Sequence, residues 1–329
     1  MKITVILCTY NRCQSLAKAL ESVAASELPS TISWEVLVVD NNSRDQTREV
    51  VEDFCRRYPG RFRYLLEPRQ GKSYALNSGS RATQAEILVF TDDDVLVEPT
   101  WLRKLTGALN EGEWAGSGGR VRPEASFSPP HWLALEGPYA MGNVLAFLEL
   151  GSEGGEFTED PFERNLPVGA NMAFRRTMFE RYGGFRTDLG PDGTELRGED
   201  TEFSRRLLKA GERLRHEPSA VVHHVIPESR LRKEYFLAWW FGHGRTAVRR
   251  KGKRPPVGGI PRHYIGISYR ILRILPGRVL RWLLAQNPQR RFFLKCWVWA
   301  TVGEIVELYR QSFGAPQQGR TSNLEPLKQ

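Results

Sequence analysis

The sequence predicts an α/β fold in which a mostly parallel sheet is covered by helices on both faces, followed by a helical C-terminal extension. Three observations predict it. Short, almost wholly apolar runs recur along the first 110 residues. Stretches with apolar residues at helical spacing separate them, and polar residues gather where the apolar runs stop. Strands buried on both faces read as continuous apolar runs, and alternation with helices implies parallel pairing.

The elements follow in order. Ile3 to Leu7 reads as a first strand, and Ser15 to Val23 as a helix that places Leu16, Ala19, Leu20 and Val23 on one side. Glu35 to Val39 is a second strand. Thr47 to Tyr58 is a helix through Val50, Val51, Phe54 and Tyr58. Phe62 to Leu66 is a third strand, Ser73 to Ala82 a helix and Ile87 to Phe90 a fourth strand. A helix from Pro99 uses Trp101, Leu102, Leu105 and Leu109. Residues 122–167 carry no periodicity and are rich in Pro, Gly and Glu; a stretch this long reads as a lid or binding loop, or as disorder. Order resumes with Asn171 to Phe174, a helix from Thr177, a helix from Glu199 to Ala210 and a last strand from Ala220 to Val225.

From Ile226 the composition changes. Residues 226–329 hold 20 Lys and Arg against 5 Asp and Glu, a surplus of +15, while residues 1–225 hold 27 against 33, or −6. The net +9 therefore hides two regions that meet different partners. Tyr269 to Leu284 mixes Ile, Leu and Trp282 with Arg270, Arg273, Arg278 and Arg281, and Pro276-Gly277 divides it into two short helices. Arg-rich amphipathic helices with Trp and Leu suit a membrane interface, and anionic lipid would attract the surplus charge. Trp282, Phe292, Phe293 and Trp297 are the side chains expected to insert. The alternative is a helical cap with its arginines in water. No recognised motif accompanies the charge, so nucleic acid is not expected. Residues 1–225 thus read as the domain that carries the candidate chemistry, 226–313 as a basic helical extension and 314–329 as a disordered tail.

The remaining composition sets bounds. The apolar fraction of 40% suffices for a full core. Cys8, Cys13, Cys55 and Cys296 form no CxxC pair, which argues against a zinc site or disulfide framework and for reduced thiols in the cytoplasm. No signal peptide is expected from the residues before Ile3, and Phe292 to Tyr309 carries Lys295, Glu304 and Glu307, too much charge for a span. The expected place is the cytoplasm, on the inner face of the cell membrane.

Ligands of such sheets sit beyond the carboxyl ends of the strands. Those ends carry Cys8-Thr9-Tyr10-Asn11, Asp40-Asn41-Asn42-Ser43 and Thr91-Asp92-Asp93-Asp94. Adjacent carboxylates repel unless a cation neutralises them, and hard divalent cations prefer oxygen ligands shared with substrate phosphates. Asp92 and Asp94 therefore read as an Asp-x-Asp metal and diphosphate site, against the plainer reading of a solvated acidic turn. Asp40 could accept hydrogen bonds from a base or ribose. Glu199-Asp200 opens a helix, where acidic residues are favoured anyway, yet a carboxylate there could also deprotonate an acceptor hydroxyl.

These segments carry a resemblance. VILCTYNR (5–12), EVLVVDNNSRDQT (35–47), GKSYALNSGSRATQAEILVFTDDDV (71–95), VGANMAFRR (168–176), YGGF (182–185) and GEDTEFSRRLLKAG (198–211) resemble, in order and separation, a family 2 glycosyltransferase with the GT-A fold, a Rossmann-type sheet. The resemblance covers roughly residues 1–225 and implies roles. Thr9, Tyr10 and Asp40 would face the nucleoside, with Arg69 and Lys72 near it or near the diphosphate. Asp92 would contact ribose or sugar, with Asp93 beside it in the donor site, and Asp94 would bind a divalent metal, Mn2+ or Mg2+. Asp200 would be the catalytic base. His223 or His224 would complete the metal site; neighbours on a strand face opposite ways, and the family spacing favours His223.

The implied reaction is a single in-line, inverting displacement from a nucleotide-sugar, a UDP-sugar being favoured, to an acceptor hydroxyl of a glycan or lipid-linked glycan. The processive relatives' Gln-x-x-Arg-Trp motif is missing from FLAWWFGHGR (236–245), so one sugar per binding event is expected. A nucleotidyltransferase or a non-catalytic nucleotide-sugar-binding protein is the alternative, and Asp200 discriminates, since binding alone needs no base. A basic membrane-docking scaffold would need none of the aspartates. Gly71-Lys72-Ser73 resembles a P-loop end, but Leu66 stands where that pattern needs Gly. Gly242-His243-Gly244 matches the start of a dinucleotide fingerprint but follows an aromatic, helix-like run.

Overall fold

The computed structural model describes residues 1–159, 165–190, 196–252, 256 and 261–313. The expected disordered tail lies outside the described residues. In chain order the elements are β1 (Lys2–Thr9), α1 (Cys13–Ala24), β2 (Ser33–Asp40), α2 (Thr47–Arg57), β3 (Phe62–Leu66), α3 (Lys72–Arg81), β4 (Ile87–Asp92), β5 (Val95–Val97), α4 (Trp101–Gly107), β6 (Gly116–Pro123), β7 (Gly155–Glu156), β8 (Met172–Arg175), α5 (Arg176–Tyr182), α6 (Glu199–Lys209), β9 (Leu214–His224), α7 (Lys233–Lys251), α8 (Arg262–Tyr269), α9 (Leu275–Leu284) and α10 (Pro288–Phe313).

The fold is α/β with a mixed, mostly parallel sheet. Its order is β3-β2-β1-β4-β8-β6-β9-β5, with β7 on β9. The long apolar runs β1 to β4 pair in parallel, because each is followed by a covering helix or turn that returns the chain to the same edge. The antiparallel part is the surprise. β8 runs against both β4 and β6, and β5 runs against β9.

β6 escapes sequence patterning because its GSGGRVRP has little apolar signal. Its glycines have a steric reason. A Cβ on Gly116 would stand 2.7 Å from the Ala173 carbonyl oxygen, and one on Gly119 would stand 2.0 Å from that of Ala220. Close backbone approach, not a side-chain face, defines this strand.

The stretch 122–167 is irregular, but much of it is packed. Trp132, Leu133, Met141, Val144 and Leu145 form a second core with Phe236 of α7 and Phe292 and Cys296 of α10. The Trp132 ring meets Phe236 and Phe292 nearly edge-on at centroid distances of 5.1 and 4.7 Å. Phe292 is therefore buried against protein, contrary to the expectation that it inserts into lipid.

In the basic extension, α8 and α9 are joined by a π-helical turn, Arg270–Ile274, rather than broken at Pro276-Gly277. A proline lacks an N–H and crowds the carbonyl four residues back; the wider turn before Pro276 accommodates that crowding. Arg270 pairs with Glu304, and Arg278 donates to the Trp297 carbonyl at 3.0 Å and to Thr301 at 2.6 Å. Both thus face α10, while Arg273 and Arg281 are exposed. Among the described residues, no helix is long and apolar enough to cross a membrane.

Candidate functional site

Three parts of the sheet edge converge on one cavity of about 730 Å3. β1 ends in Thr9, β4 ends in Asp92, and the turn into β5 carries Asp93 and Asp94. α6 opens on Glu199 and Asp200. The pairing of Val95 with His224 brings the end of β9 beside Asp94. The cavity lining includes Thr9, Tyr10, Lys72, Asp92, Asp93, Asp94, Asp200 and His224. Asp40, Arg69 and His223 are absent from it.

The three aspartates have three environments. Asp92 pairs with Lys72. Asp93 is buried and accepts from Thr9 Oγ1 at 2.8 Å and from Arg12 at 2.9 Å. Burial pushes its carboxyl up to about 6 against the pull of Arg12. Asp93 is thus tied into the frame, although its place in the triplet suggested donor contact. Asp94 meets Arg12 at 2.9 Å, Arg230 at 3.0 Å and His224 Nε2 at 3.1 Å. Burial opposes its ionisation, but the His224 contact and the charges of Arg230 and Arg12 outweigh it and hold the carboxyl below its usual range.

Asp200 is held by its backbone neighbours. Its Oδ2 accepts the Gly169 N–H and its Oδ1 the Thr201 N–H, both at 2.7 Å. Burial nevertheless raises its carboxyl above the ordinary range, against the charge of Lys72 and the two N–H donors. Glu199 is also buried; burial, reinforced by Asp200, pushes it up to about 7. Lys72 sits among these carboxylates: burial works against its charge, but Asp92 and Glu199 prevail and raise it.

The histidine selection is reversed. His224 faces Asp94, while His223 turns to the other side, half-exposed, 3.5 Å from Glu98 and 3.4 Å from the Pro123 carbonyl. Alternation along β9 allows only one to face the site, and the β5 pairing decides which. Arg69 is turned away as well. It grips Glu67 through two nitrogens at 2.9 Å and lies over the Tyr74 ring. The Asp40 carboxylate accepts the Ser43 N–H and the Tyr64 O–H, each at 2.8 Å.

The donor set around Asp94 and His224 fits a cation. His224 Nδ1 lies 2.7 Å from the Leu145 carbonyl, which can only accept, so Nδ1 carries a proton. Nε2 then meets the donor-only guanidinium of Arg230 at 3.2 Å and the acceptor-only carboxylate of Asp94 at 3.1 Å. Either protonation state leaves one contact unmet, whereas a cation shared by Nε2 and the carboxylate would remove the conflict. A ring fixed through its other nitrogen by a carbonyl is a common support for a metal ligand. Among the described residues no group of three or more His, Cys, Asp and Glu side chains is placed to hold a metal. Substrate phosphates and water would have to supply the other ligands, as is common for Mg2+.

Arg12 and Arg230 are the residues that sequence reasoning passed over. Arg12 lay inside a quoted motif without a role; Arg230 lies in a basic region with nothing to single it out. Tyr235 and Trp239 of α7 also line the cavity, so the basic extension contributes one of its walls.

Comparison with known proteins identifies the family and the fold. The family model described as "Glycosyl transferase family 2" matches residues 4–183. The succinoglycan biosynthesis protein ExoM of Rhizobium meliloti is 28% identical over 250 residues, 76% of this chain and 75% of that protein. The glucosyl-dolichyl phosphate glucuronosyltransferase of Haloferax volcanii is 26% identical over 256 residues, 75% of this chain and 77% of that one. In fold, the mannosyltransferase PcManGT from Pyrobaculum calidifontis, solved with GDP-Man and Mn2+, superposes with a TM-score of 0.59 at 20% identity over 95% of this chain and 88% of that one. S. aureus TarS 1–349 with UDP-GlcNAc gives 0.52 at 15% identity over 95% and 92%. With more than half of its length matched by the family model, the chain belongs to glycosyltransferase family 2.

Proposed function

We propose that this glycosyltransferase moves a sugar from a nucleotide-diphosphate sugar, with a UDP-sugar favoured, to the hydroxyl of a glycan or lipid-linked acceptor, inverting the anomeric carbon. The observation that carries the reading is the cavity that Asp200 shares with the aspartate triplet. Asp200, held by two backbone N–H groups, takes the proton of the attacking hydroxyl as the new glycosidic bond forms and the diphosphate departs. Lys72 and Arg12, both in the cavity wall, place positive charge where the leaving group gains negative charge. Asp94 and His224 would hold a divalent cation, Mn2+ or Mg2+, which when bound supplies further charge stabilisation for the diphosphate. No covalent enzyme intermediate is needed.

Several relatives motivate the substrate classes. One is named for succinoglycan biosynthesis, which supports a role in glycan or polysaccharide biosynthesis. Another is named for transfer to glucosyl-dolichyl phosphate, which supports a lipid-linked acceptor. Fold neighbours were solved with GDP-Man and Mn2+ or with UDP-GlcNAc. We further read the chain as peripheral on the cytoplasmic face of an anionic membrane. Eight of its exposed large apolar side chains, among them Leu272, Leu280, Leu283 and Leu284, lie within 262–284.

The test compares two variants. Asp200→Asn is nearly isosteric and cannot accept the proton. UDP affinity is expected to survive while transfer falls by about 100-fold or more. Asp94→Ala should instead remove the Mn2+ dependence of UDP binding. Full transfer by Asp200→Asn, with loss in Glu199→Gln, would move the base to Glu199; full activity of Asp94→Ala in excess chelator would remove the metal.

A further inference from the structure

Arg230 stands on the short helical turn Glu228–Leu231, between the last strand of the sheet and α7. Its two terminal nitrogens do different things. NH2 donates to Asp94 Oδ2 at 3.0 Å, and NH1 points to His224 Nε2 at 3.2 Å. The guanidinium fork therefore spans the same carboxylate and imidazole that a divalent cation would span. With Nε2 unprotonated, NH1 gives that nitrogen a donor and NH2 neutralises the carboxylate, so that only the direct contact of Nε2 with Asp94 Oδ1 stays unmet. Arg12 does not share this position, because it bridges Asp93 and Asp94 and makes no contact with His224 that the structure shows.

We propose that Arg230 is a built-in substitute for the metal, occupying the Asp94–His224 pair in the donor-free enzyme and yielding it when metal and nucleotide diphosphate arrive together. The inference rests on the metal-dependent donor site proposed above. A cation and a guanidinium cannot both sit between Asp94 and His224. Metal entry in the absence of donor therefore has to break two contacts of Arg230 and leave its charge without a carboxylate in a partly buried wall. A diphosphate changes that balance, because it offers anionic oxygens to the displaced side chain, which already lines the cavity. Donor and metal should consequently bind with positive coupling, and by linkage each raises the affinity for the other equally. The class of ligand that releases Arg230 is thus a nucleoside diphosphate, not a metal alone or a nucleoside alone.

The experiment titrates Mn2+ into the full chain with and without saturating UDP, following free Mn2+ by its paramagnetic resonance and heat by calorimetry. The wild type is expected to bind Mn2+ weakly alone and at least about 5-fold more tightly with UDP, the lower end of usual coupling. Arg230→Gln should bind Mn2+ alone about 5-fold or more tightly than the wild type, with the UDP effect reduced or gone. Arg230→Lys separates the fork from mere charge. It keeps the charge but has one donating point, so it should resemble Arg230→Gln in tightened Mn2+ binding. Arg232→Gln, an exposed neighbour, removes one charge without touching the pair and should match the wild type. Melting curves establish that each variant is folded. The proposal is overturned if Arg230→Gln binds Mn2+ alone no better than the wild type, or if Arg230→Lys behaves as the wild type and Arg232→Gln as Arg230→Gln, which would be the pattern of bulk charge. It is also overturned if Mn2+ binds none of the proteins. UDP binding without Mn2+ would then spare the donor site, and loss of UDP binding as well would remove the donor reading itself.

Discussion

Glu199 and Asp200 are consecutive, yet the fold gives them different work. Asp200 has its two oxygens on backbone N–H groups at the cavity edge, whereas Glu199 is buried and is pushed up to about 7 by that burial and by Asp200. An unfolded glutamate titrates near about 4.3. Between those values the folded chain holds the proton and the unfolded chain does not. The contribution of Glu199 to stability is therefore greatest below the unfolded value and is lost as pH rises through about 7. Glu199→Gln carries no such charge. Its melting temperature relative to wild type should rise between pH 5 and pH 8, the gain amounting to roughly 1–3 kcal/mol. A difference that stays constant across that range would show that Glu199 is ionised throughout. At this scale the sequence was legible where chemistry is crowded: the aspartate triplet and Glu199-Asp200 drew notice without any structure. It was not legible where a single residue's direction decides. Nothing in the pair His223-His224 says which ring turns inward, because strand alternation sets the phase only once the β5 pairing is known. Arg12 and Arg230 were hidden for the opposite reason, since arginines are usually solvated and carry no spacing signal.

Elements whose apolar residues face one way were found by periodicity. The alternation of β1, α1, β2, α2, β3, α3 and β4 is legible to within a few residues, because β1, β2 and β4 are mostly buried apolar runs, each helix buries one side, and the edge strand β3 is short and apolar enough to stand out. β6 was missed, since its strand identity lies in glycines that let backbones approach. The same device joins the long helices of the extension. A Cβ on Gly244 of α7 would sit 2.0 Å from the Ala300 carbonyl oxygen, and one on Gly303 of α10 would sit 2.1 Å from that of Phe241. These reciprocal contacts explain Gly244 of the Gly242-His243-Gly244 string by helix packing, with no need of a nucleotide motif. They also allow Glu307 of α10 to meet Arg245 at 3.0 Å and Arg249 at 2.6 Å in a buried network. Gly244→Ala would ordinarily favour a helix interior by about 1 kcal/mol. Here the neighbour is backbone and cannot rotate away, so the variant should be less stable, by about 1–3 kcal/mol. Gly277→Ala in α9 meets nothing within 4 Å and should be neutral or stabilising by up to about 1 kcal/mol. Denaturant melts of the two variants give the comparison; equal stability would mean that α7 and α10 do not cross this closely.

The whole molecule sets the acidic edge of the candidate site beside a strongly basic extension, and most of the exposed large apolar residues fall on the basic side. The charge asymmetry was legible in composition, but the identity of the apolar face was not, because aromatic residues looked the best anchors. Phe292 is spent in the second core, and Lys295 lies over the Trp282 ring at 5.7 Å. What stands in solvent instead is mostly aliphatic, beside Tyr264 and Tyr269: Leu272 and Leu284 are 72% and 71% exposed, and Leu280 and Leu283 each 57%. Exposed Arg273 and Arg281 lie on the same two helical turns. If this face docks on lipid, the purified protein should sediment with vesicles containing anionic phospholipid and poorly with neutral ones. Salt should weaken the charge-driven part, whose range falls to about 8 Å at physiological ionic strength. Replacing Leu272, Leu280, Leu283 and Leu284 together with Ser removes the apolar part, so binding that survives in high salt should disappear. Arg273→Gln with Arg281→Gln should lower binding at low salt, while Arg270 and Arg278 are left alone because they hold α10. Transfer to a short soluble acceptor should be unchanged in both variants, and transfer to a lipid-linked acceptor in vesicles should fall. If the intact protein ignores anionic vesicles at low salt, the exposed leucines belong to some other contact, and the lipid-linked acceptor would then rest on the relative's name alone.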